Sequence, residues 1–371
     1  MHSAPRTSRI RPLVSAVLGA LLTVAVLAGC SGSGASTGAG GAATPRLADV
    51  AAVTDPKAWD GASTARISPV PVEPVTDGQQ QLPASLVDAQ GTPLTVTDTS
   101  RILALDIYGS LSRIVFDLGF GDTVIGRDVS SGFPEIADRP LVTQNGHDLN
   151  AEAILALAPT LIITDTSLGP WDTVLQMRDA GVTVVIVDSK RSLATVGSLT
   201  TQVSDALGVP ARGAVLAART SQSIDAAVRA IAAIAPADPA EKLRIVFLYV
   251  RGQAGVYYLF GEGSGADDLV GAVGGIDVSS EIGWSGMRPL TDEGLVAAAP
   301  DLVLMMTGGL ESVNGVDGLL EAVPALQQTP AGQHKRVVDM ADSQILSFGP
   351  DTASVLEALA VAIYAPQDVA G

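Results

Sequence analysis

The sequence is poor in cysteine, aromatic residues and charge. Its one cysteine, Cys30, leaves no pair for a disulfide, so the fold must depend on a buried core. Aromatic residues make up 4% and charged residues 16% of the 371 residues, and the formal net charge is −17. Without a basic patch, a nucleic acid or an anionic lipid surface is not a fitting partner. The length of 371 residues is enough for one large or two medium domains, and 47% of hydrophobic residues can form a substantial core.

Signatures of catalysis are also missing. The sequence contains no Gly-x-Ser-x-Gly elbow between a predicted strand and a predicted helix, and no His-Glu-x-x-His helix. Residues 261–265 read Gly-Glu-Gly-Ser-Gly but lack the Lys-Ser/Thr that completes a phosphate-binding loop, so they predict a tight connection. We therefore expect a protein that binds and releases a ligand and is not an enzyme.

The first 29 residues predict a secretory signal peptide. They contain three arginines and no acid, followed by an apolar run over 13–28 that is shorter than the roughly 20 residues of a membrane span. Loss of these arginines would change the net charge from −17 to −20.

The signal ends in Leu-Ala-Gly-Cys30, which resembles the lipobox of bacterial lipoproteins. That resemblance implies cleavage before Cys30 and attachment of acyl chains, palmitate among them, to its sulfur. More than one chain anchors a protein stably, so we expect attachment to the extracellular face of the cytoplasmic membrane. An ordinary signal peptide or an uncut anchor is the alternative.

Alternating strands and helices from residue 99 onward predict parallel α/β domains. We predict a signal peptide at 1–29, a lipidated flexible tether and extended lead-in segment at 30–98, an amino-terminal α/β lobe at 99–190, a linking helix region at 191–240 and a carboxyl-terminal α/β lobe at 241–371. The predicted strands are 101–105, 123–126, 161–164, 182–187, 243–250, 302–306 and 337–340; the predicted helices include 110–118, 150–157, 211–234, 291–298 and 353–364.

An internal repeat supports two similar lobes. Residues 149–163 align with 290–304, with Leu, Glu, Ala, Ala, Pro and Leu at matching places. Each copy reads as a polar cap, a short helix, an Ala-Pro stop and a buried strand. Chance recurrence in an alanine-rich chain is the alternative.

The lipidated signal, the two lobes and the long helix together resemble the class III substrate-binding proteins of ABC importers. The resemblance implies two Rossmann-like lobes joined by a single long helix, and a monomer that serves an ABC permease and its ATPase. It also implies that Glu152 and Glu293, one in each lobe, dock onto arginines of the permease. Both lie at predicted helix starts, where the helix dipole alone favours a carboxylate.

Tyr249 and Arg251 end a predicted buried strand. Residues two apart on a strand share a face, and α/β folds bind ligands at the carboxyl ends of their strands. A nearby guanidinium favours a phenolate, and Tyr is a known heme ligand. A plain Tyr–Arg stack is the alternative. Tyr257 and Tyr258 are rival ligands, but neither has an arginine two residues later.

His147 is the candidate in the other lobe. It lies in a polar loop before the first repeat helix, where a core histidine is not expected, and a plain surface histidine is the alternative. His334 lies in a basic loop and is expected to be solvated.

These residues resemble the heme-binding lipoproteins of the HmuT type from high-GC Gram-positive bacteria. The resemblance implies heme b as the transported ligand, with iron held by His147 and Tyr249 and with Arg251 supporting the tyrosine. Met306 is expected to line the pocket or to act as a spare soft ligand.

Arg127 and Arg288 are the expected partners of the heme propionates. The alternative ligands on the same fold are a ferric siderophore and cobalamin. A siderophore site needs several basic or aromatic side chains, of which this chain has few, and a cobalamin site would not need the Tyr-x-Arg pair.

Overall fold

We describe a computed structural model of the chain that covers residues 43–289 and 291–369. The predicted signal peptide, Cys30 and Leu290 lie outside these ranges, so the predictions made for them stay predictions. Among the described residues, no helix combines the length and the apolar character that crossing a membrane requires.

Strands and helices follow one another along the described chain. The strands are β1 (Ser63–Ala65), β2 (Ala84–Val87), β3 (Pro93–Val96), β4 (Ile102–Leu105), β5 (Thr143–Gln144), β6 (Asp148–Leu149), β7 (Leu161–Thr164), β8 (Thr183–Ile186), β9 (Arg244–Arg251), β10 (Val256–Phe260), β11 (Ile276–Asp277), β12 (Met287–Pro289), β13 (Leu302–Met306) and β14 (Val337–Met340). The α-helices are α1 (Ser110–Val115), α2 (Ala151–Ala156), α3 (Trp171–Asp179), α4 (Val196–Ala206), α5 (Pro210–Ala232), α6 (Ala266–Ala272), α7 (Val278–Glu281), α8 (Asp292–Ala298), α9 (Thr307–Glu311), α10 (Gly315–Ala322), α11 (Pro330–Gln333) and α12 (Thr352–Tyr364).

The amino-terminal lobe is built on a parallel sheet with strand order β4-β7-β8. Successive residues of each strand pack into different clusters on the two faces of the sheet, Leu161 into one and Ile162 into the other. Burial on both faces explains why these strands read as continuous apolar runs. Their carboxyl ends point toward the loops that carry the candidate ligands.

The carboxyl-terminal lobe contains a seven-stranded sheet with the order β1-β14-β13-β9-β10-β12, and β11 pairs with the start of β9. The strands β1, β14, β13 and β9 run parallel, whereas β10 and β12 are antiparallel additions at one side. Phe247 faces one core cluster and Leu248 the other, so this sheet is also covered on both faces.

The long helix α5 spans both lobes, since Leu216 packs into the amino-lobe core and Ile231 into the carboxyl-lobe core. It begins at Pro210, which suits the first helical turn because that position needs no amide donor. The prediction of two α/β lobes with a long linking helix is confirmed.

A second connection between the lobes precedes the first sheet. The segment predicted as an extended lead-in contributes β1 to the carboxyl-lobe sheet beside β14, and Ile67 packs against the same lobe's core. The chain then reaches the amino lobe, where Val75 is buried and its amide donates to the Asp117 carbonyl over 2.7 Å. Arg113 fixes this crossing, donating to the Val70 and Pro71 carbonyls. The lead-in segment is thus a structural link between the lobes.

The two copies of the internal repeat share details of backbone conformation and hydrogen bonding. Ala158 and Ala299, at equivalent positions after α2 and α8, both take left-handed backbone conformations with φ of 44° and 41°. Arg101 and Arg244 stand just before Ile102 of β4 and Ile245 of β9. Their guanidinium groups donate to the carbonyls of Leu157 and Ala298, which occupy equivalent positions at the ends of the two repeat helices. The two lobes share a helix-to-strand joint.

The prediction of a strand over 123–126 is wrong. Val124 forms an isolated bridge with Ile102, and Arg127 pairs instead with Leu141 in a separate bridge. The apolar run is too short to continue along the sheet before the chain turns toward its next partner. The hairpins β2–β3 and β5–β6 and the strands β10 and β12 were not predicted.

A buried ionic cluster holds the carboxyl edge of the amino-lobe sheet. Arg191 donates from one nitrogen to Asp106 over 3.0 Å and to Asp165 over 2.7 Å, which follow β4 and β7 directly. Burial, followed by the charge of Asp106, raises the pKa of the nearby Asp128 to about 7. The Arg191 guanidinium also stacks on Tyr108, which packs against the carboxyl-lobe core. The cluster therefore joins the strand ends to the lobe junction.

Candidate ligand site between the lobes

Tyr249 lies near the carboxyl end of β9, on the sheet face that Phe247 also occupies. Its half-buried ring stacks on Phe260 with centroids 5.9 Å apart, and Phe260 stacks on Phe247 at 5.0 Å. These contacts fix the plane of the Tyr249 ring.

Arg251 covers the ring of Tyr249. Its guanidinium carbon lies 4.6 Å from the ring centroid, an arrangement typical of a cation–π contact. The expected shared face of Tyr249 and Arg251 is thus present. The guanidinium donates its hydrogen bonds to the Val250 carbonyl and to Asp342. In the described residues Arg251 therefore supports Tyr249 through the face of the ring and not through the phenol oxygen.

Asp342 is a member of the site that sequence reasoning missed. It follows β14 and accepts a hydrogen bond from Arg251 over 3.0 Å, while its other oxygen accepts the Gly308 amide over 2.8 Å. The carboxylate therefore ties Arg251 to the start of α9. One feature of the sequence could have indicated its role. Asp342 follows the buried strand β14 by two residues, so it lies at the carboxyl edge of the sheet, where Tyr249 was also expected.

His147 belongs to the amino lobe and lies in the turn of the β5–β6 hairpin. Asn145 and Gly146 take left-handed conformations, which an Asn-Gly pair adopts readily. The imidazole is exposed. Partial loss of hydration, followed by the positive charge of Arg251, lowers the pKa of His147, against the opposing charge of Asp342. Charged groups of the carboxyl lobe thus act on His147 of the amino lobe, and the lowered pKa favours the neutral imidazole, which is the form that binds metals.

Met306 lies beside Tyr249. β13 and β9 are paired up to Met305 and Leu248, so Met306 and Tyr249 are the next residues on the two neighbouring strands. Met306 packs against the core cluster that contains Phe247, and so does Phe260. A soft thioether therefore stands one strand away from the phenol. The expectation that Met306 lines the pocket agrees with this placement and stays a prediction.

Arg127 and Arg288 are not brought to Tyr249. The Arg127 guanidinium donates to three backbone carbonyls, those of Ala137, Asp128 and Ser131. Arg288 is exposed and lies opposite Leu259, whose side chain faces the core on the other side of the sheet. Their expected role at the propionates stays a prediction.

Glu152 and Glu293 are both exposed in the first turns of α2 and α8. Each helix has a side-chain cap, from Asn150 to the Ala153 amide and from Thr291 to the Gly294 amide. Asn150 and Thr291, and not the glutamates, accept these helix-start amides. The carboxylates of Glu152 and Glu293 are therefore exposed at the surface. Their docking role stays a prediction.

Comparison with known proteins agrees with this architecture. The model of a family described as periplasmic binding protein matches residues 107–343, well over half of the chain. The chain belongs to the periplasmic binding protein family. Its two α/β lobes are the fold of that family's solved members.

Several relatives share most of its length. A crystal structure of the heme-binding protein HmuT is 41% identical, covers 84% of this chain and 99% of its own, and superposes with a TM-score of 0.78. The periplasmic heme-binding protein RhuT from Roseiflexus sp. RS-1 is 37% identical over 72% of this chain and 99% of its own, with a TM-score of 0.65. An uncharacterized ABC transporter substrate-binding lipoprotein, YvrC of Bacillus subtilis, is 24% identical over 76% of this chain and 86% of its own.

Solved HmuT structures also include variants in which a histidine, a tyrosine or an arginine is replaced by alanine. In that protein the arginine stands two residues after the tyrosine, the same spacing as Tyr249 and Arg251 here.

Proposed function

We propose that this chain is an extracytoplasmic heme-binding lipoprotein that captures heme b between its lobes and delivers it to an ABC permease. The observation that carries the proposal is the cluster of Tyr249, Arg251 and Asp342 at the carboxyl end of β9 in one lobe, together with an exposed His147 in the other. Tyrosine and histidine are both axial ligands of heme iron. The identity with heme-binding relatives supports the same ligand.

Each residue has a defined task in capture. Tyr249 supplies a hard oxygen ligand to ferric iron, and the Arg251 guanidinium lies over its ring and holds the ring in place. Asp342 keeps the guanidinium in place. His147 supplies a neutral nitrogen from the opposite lobe, so both lobes contact the same heme. The two connections between the lobes limit hinge motion, and closure is small.

Delivery depends on the surface and on the anchor. Glu152 and Glu293 offer one exposed carboxylate in each lobe to arginines of the permease, whose ATPase drives release inward. Acylated Cys30 holds the monomer at the extracellular face of the cytoplasmic membrane. Capture requires no covalent chemistry, and the protein acts as a carrier.

The test is a visible absorption titration with hemin of the chain from residue 31 onward, which retains the compact unit over 42–371. We expect a saturating one-to-one change in the Soret band, altered by both Tyr249→Ala and His147→Ala. A matched control is His334→Ala, because His334 pairs with Asp60 instead. An unchanged hemin spectrum would contradict the proposal and point to a siderophore or cobalamin on the same fold.

A further inference from the structure

Tyr258 lies directly opposite Tyr249 in the antiparallel pair of β9 and β10. Residues directly opposite in such a pair project from the same face, with Cβ atoms about 4.5–5.5 Å apart. The two tyrosines therefore project from the same face of the sheet, on neighbouring strands. Tyr257, one residue earlier, projects from the other face and packs against the core there.

Side chains of three neighbouring strands form a row across the sheet at the level of Tyr249. Tyr249 stands in the middle, with Met306 on the neighbouring strand β13 and Tyr258 on the neighbouring strand β10. Adjacent strands are about 4.8 Å apart. A group that binds the Tyr249 oxygen thus has a potential ligand on each side.

The hydroxyl of Tyr258 is available. Within residues 43–289 and 291–369, neither Tyr249 nor Tyr258 forms a side-chain hydrogen bond, although both rings are half-buried. Tyr364 shows the ordinary behaviour of a buried tyrosine, since its hydroxyl donates to the Val273 carbonyl over 2.8 Å. Tyr249 and Tyr258 thus offer two hydroxyls on one face of the sheet, whereas Tyr257 offers its hydroxyl on the other face.

We propose, on the basis of the heme-binding function above, that Tyr258 is a second phenol of the iron site and binds the ferric iron when Tyr249 is absent. On binding, the phenol gives its proton to water and its oxygen bonds to the iron. The aromatic row of Tyr249, Phe260 and Phe247 stays in place in either case, because Tyr258 replaces only the oxygen donor.

The test compares hemin complexes of Tyr249→Phe, Tyr258→Phe and the double variant by visible and resonance Raman spectroscopy. Tyr249→Phe should keep the phenolate-to-iron charge-transfer signature with affinity reduced about 10-fold, and the double variant should lose the signature with a further loss of about 10-fold. Tyr258→Phe alone should change the affinity by less than about 3-fold.

Tyr257→Phe in the Tyr249→Phe background is the matched control, because its ring faces away from the site. It should keep the signature. The proposal is overturned if Tyr249→Phe already lacks a phenolate signature, or if the double variant keeps it. Hemin binding by the unaltered chain reports on the heme-binding function separately, so failure of that function and failure of the Tyr258 role give different results.

Discussion

At the scale of single side chains, Arg251 interacts with three other residues of the proposed site. One guanidinium covers the Tyr249 ring, binds Asp342 and acts on His147 from the other lobe. It is about one-third exposed, so its pair with Asp342 adds little stability by itself. We expect its main effect to be electrostatic, because its positive charge lies over the Tyr249 ring and also acts on His147.

Arg251→Ala should raise the pKa of His147, since the positive charge that opposes protonation is removed. Iron needs the neutral imidazole, so ligation is complete above this pKa and is lost as the pH falls through it. The acid limit of hemin binding should therefore move to higher pH. An NMR titration of the imidazole ring protons in the ligand-free protein measures the shift.

Asp342→Asn is the control with the opposite sign. Its carboxylate raises the pKa of His147, so the amide should lower it further. Equal titration curves for the three proteins would show that Arg251 and Asp342 do not act on the imidazole.

The sequence predicted that Tyr249 and Arg251 belong to one site, but it did not predict the contacts that these residues make. The period of two along a strand placed Tyr249 and Arg251 on one face, and the structure agrees. Asp342 was missed because it lies 91 residues from Arg251, and only the parallel arrangement of β9, β13 and β14 brings the two together. Local patterns carry no information on such a contact.

Among the elements, the joint between repeat helix and strand recurs most closely. The sequence repeat predicted the short helices and the Ala-Pro stops, and α2 and α8 confirm them. It could not predict the left-handed alanines, because alanine is a strong helix former without preference for that conformation. The following proline disfavours the right-handed helical region at both alanines, which ends the two helices there.

Ala158→Gly should stabilise the protein by up to about 1 kcal/mol, because glycine adopts a φ of 44° without the steric cost that alanine bears. Ala156→Gly, two residues earlier at the end of α2, should destabilise it by about as much through lost helix propensity. Chemical denaturation of both variants measures the free energy of unfolding. The same sign for both would show that backbone strain at Ala158 is not the deciding factor.

In the whole molecule, Glu152 and Glu293 place one exposed acid on each lobe. Their replacement together by alanine should leave hemin binding unchanged, since neither contacts Tyr249 or His147 in the described structure. Uptake of heme by cells that depend on this protein should fall by about 10-fold or more, as expected when charged contacts to a partner are removed.

Asp172→Ala provides the control for this prediction. Asp172 is also an exposed acid in the first turn of a helix, α3, but it lies outside the repeat. Its loss should leave uptake intact. Equal losses for Asp172 and for the two glutamates would indicate a general effect of negative charge instead of docking at two defined places.

The two crossings between the lobes have a consequence for proteases outside the cell. A cut in the extended crossing between Ile67 and Val75 leaves α5 as an intact covalent link. A cut in the turn between α4 and α5 leaves the extended crossing, with Arg113 still bound to its carbonyls. Either cut divides the chain into two polypeptides that are joined only by noncovalent packing, such as the pairing of β1 with β14 and the contacts of Arg113 at the extended crossing. This packing decides whether a nicked protein keeps both halves of its proposed ligand site on one anchored assembly.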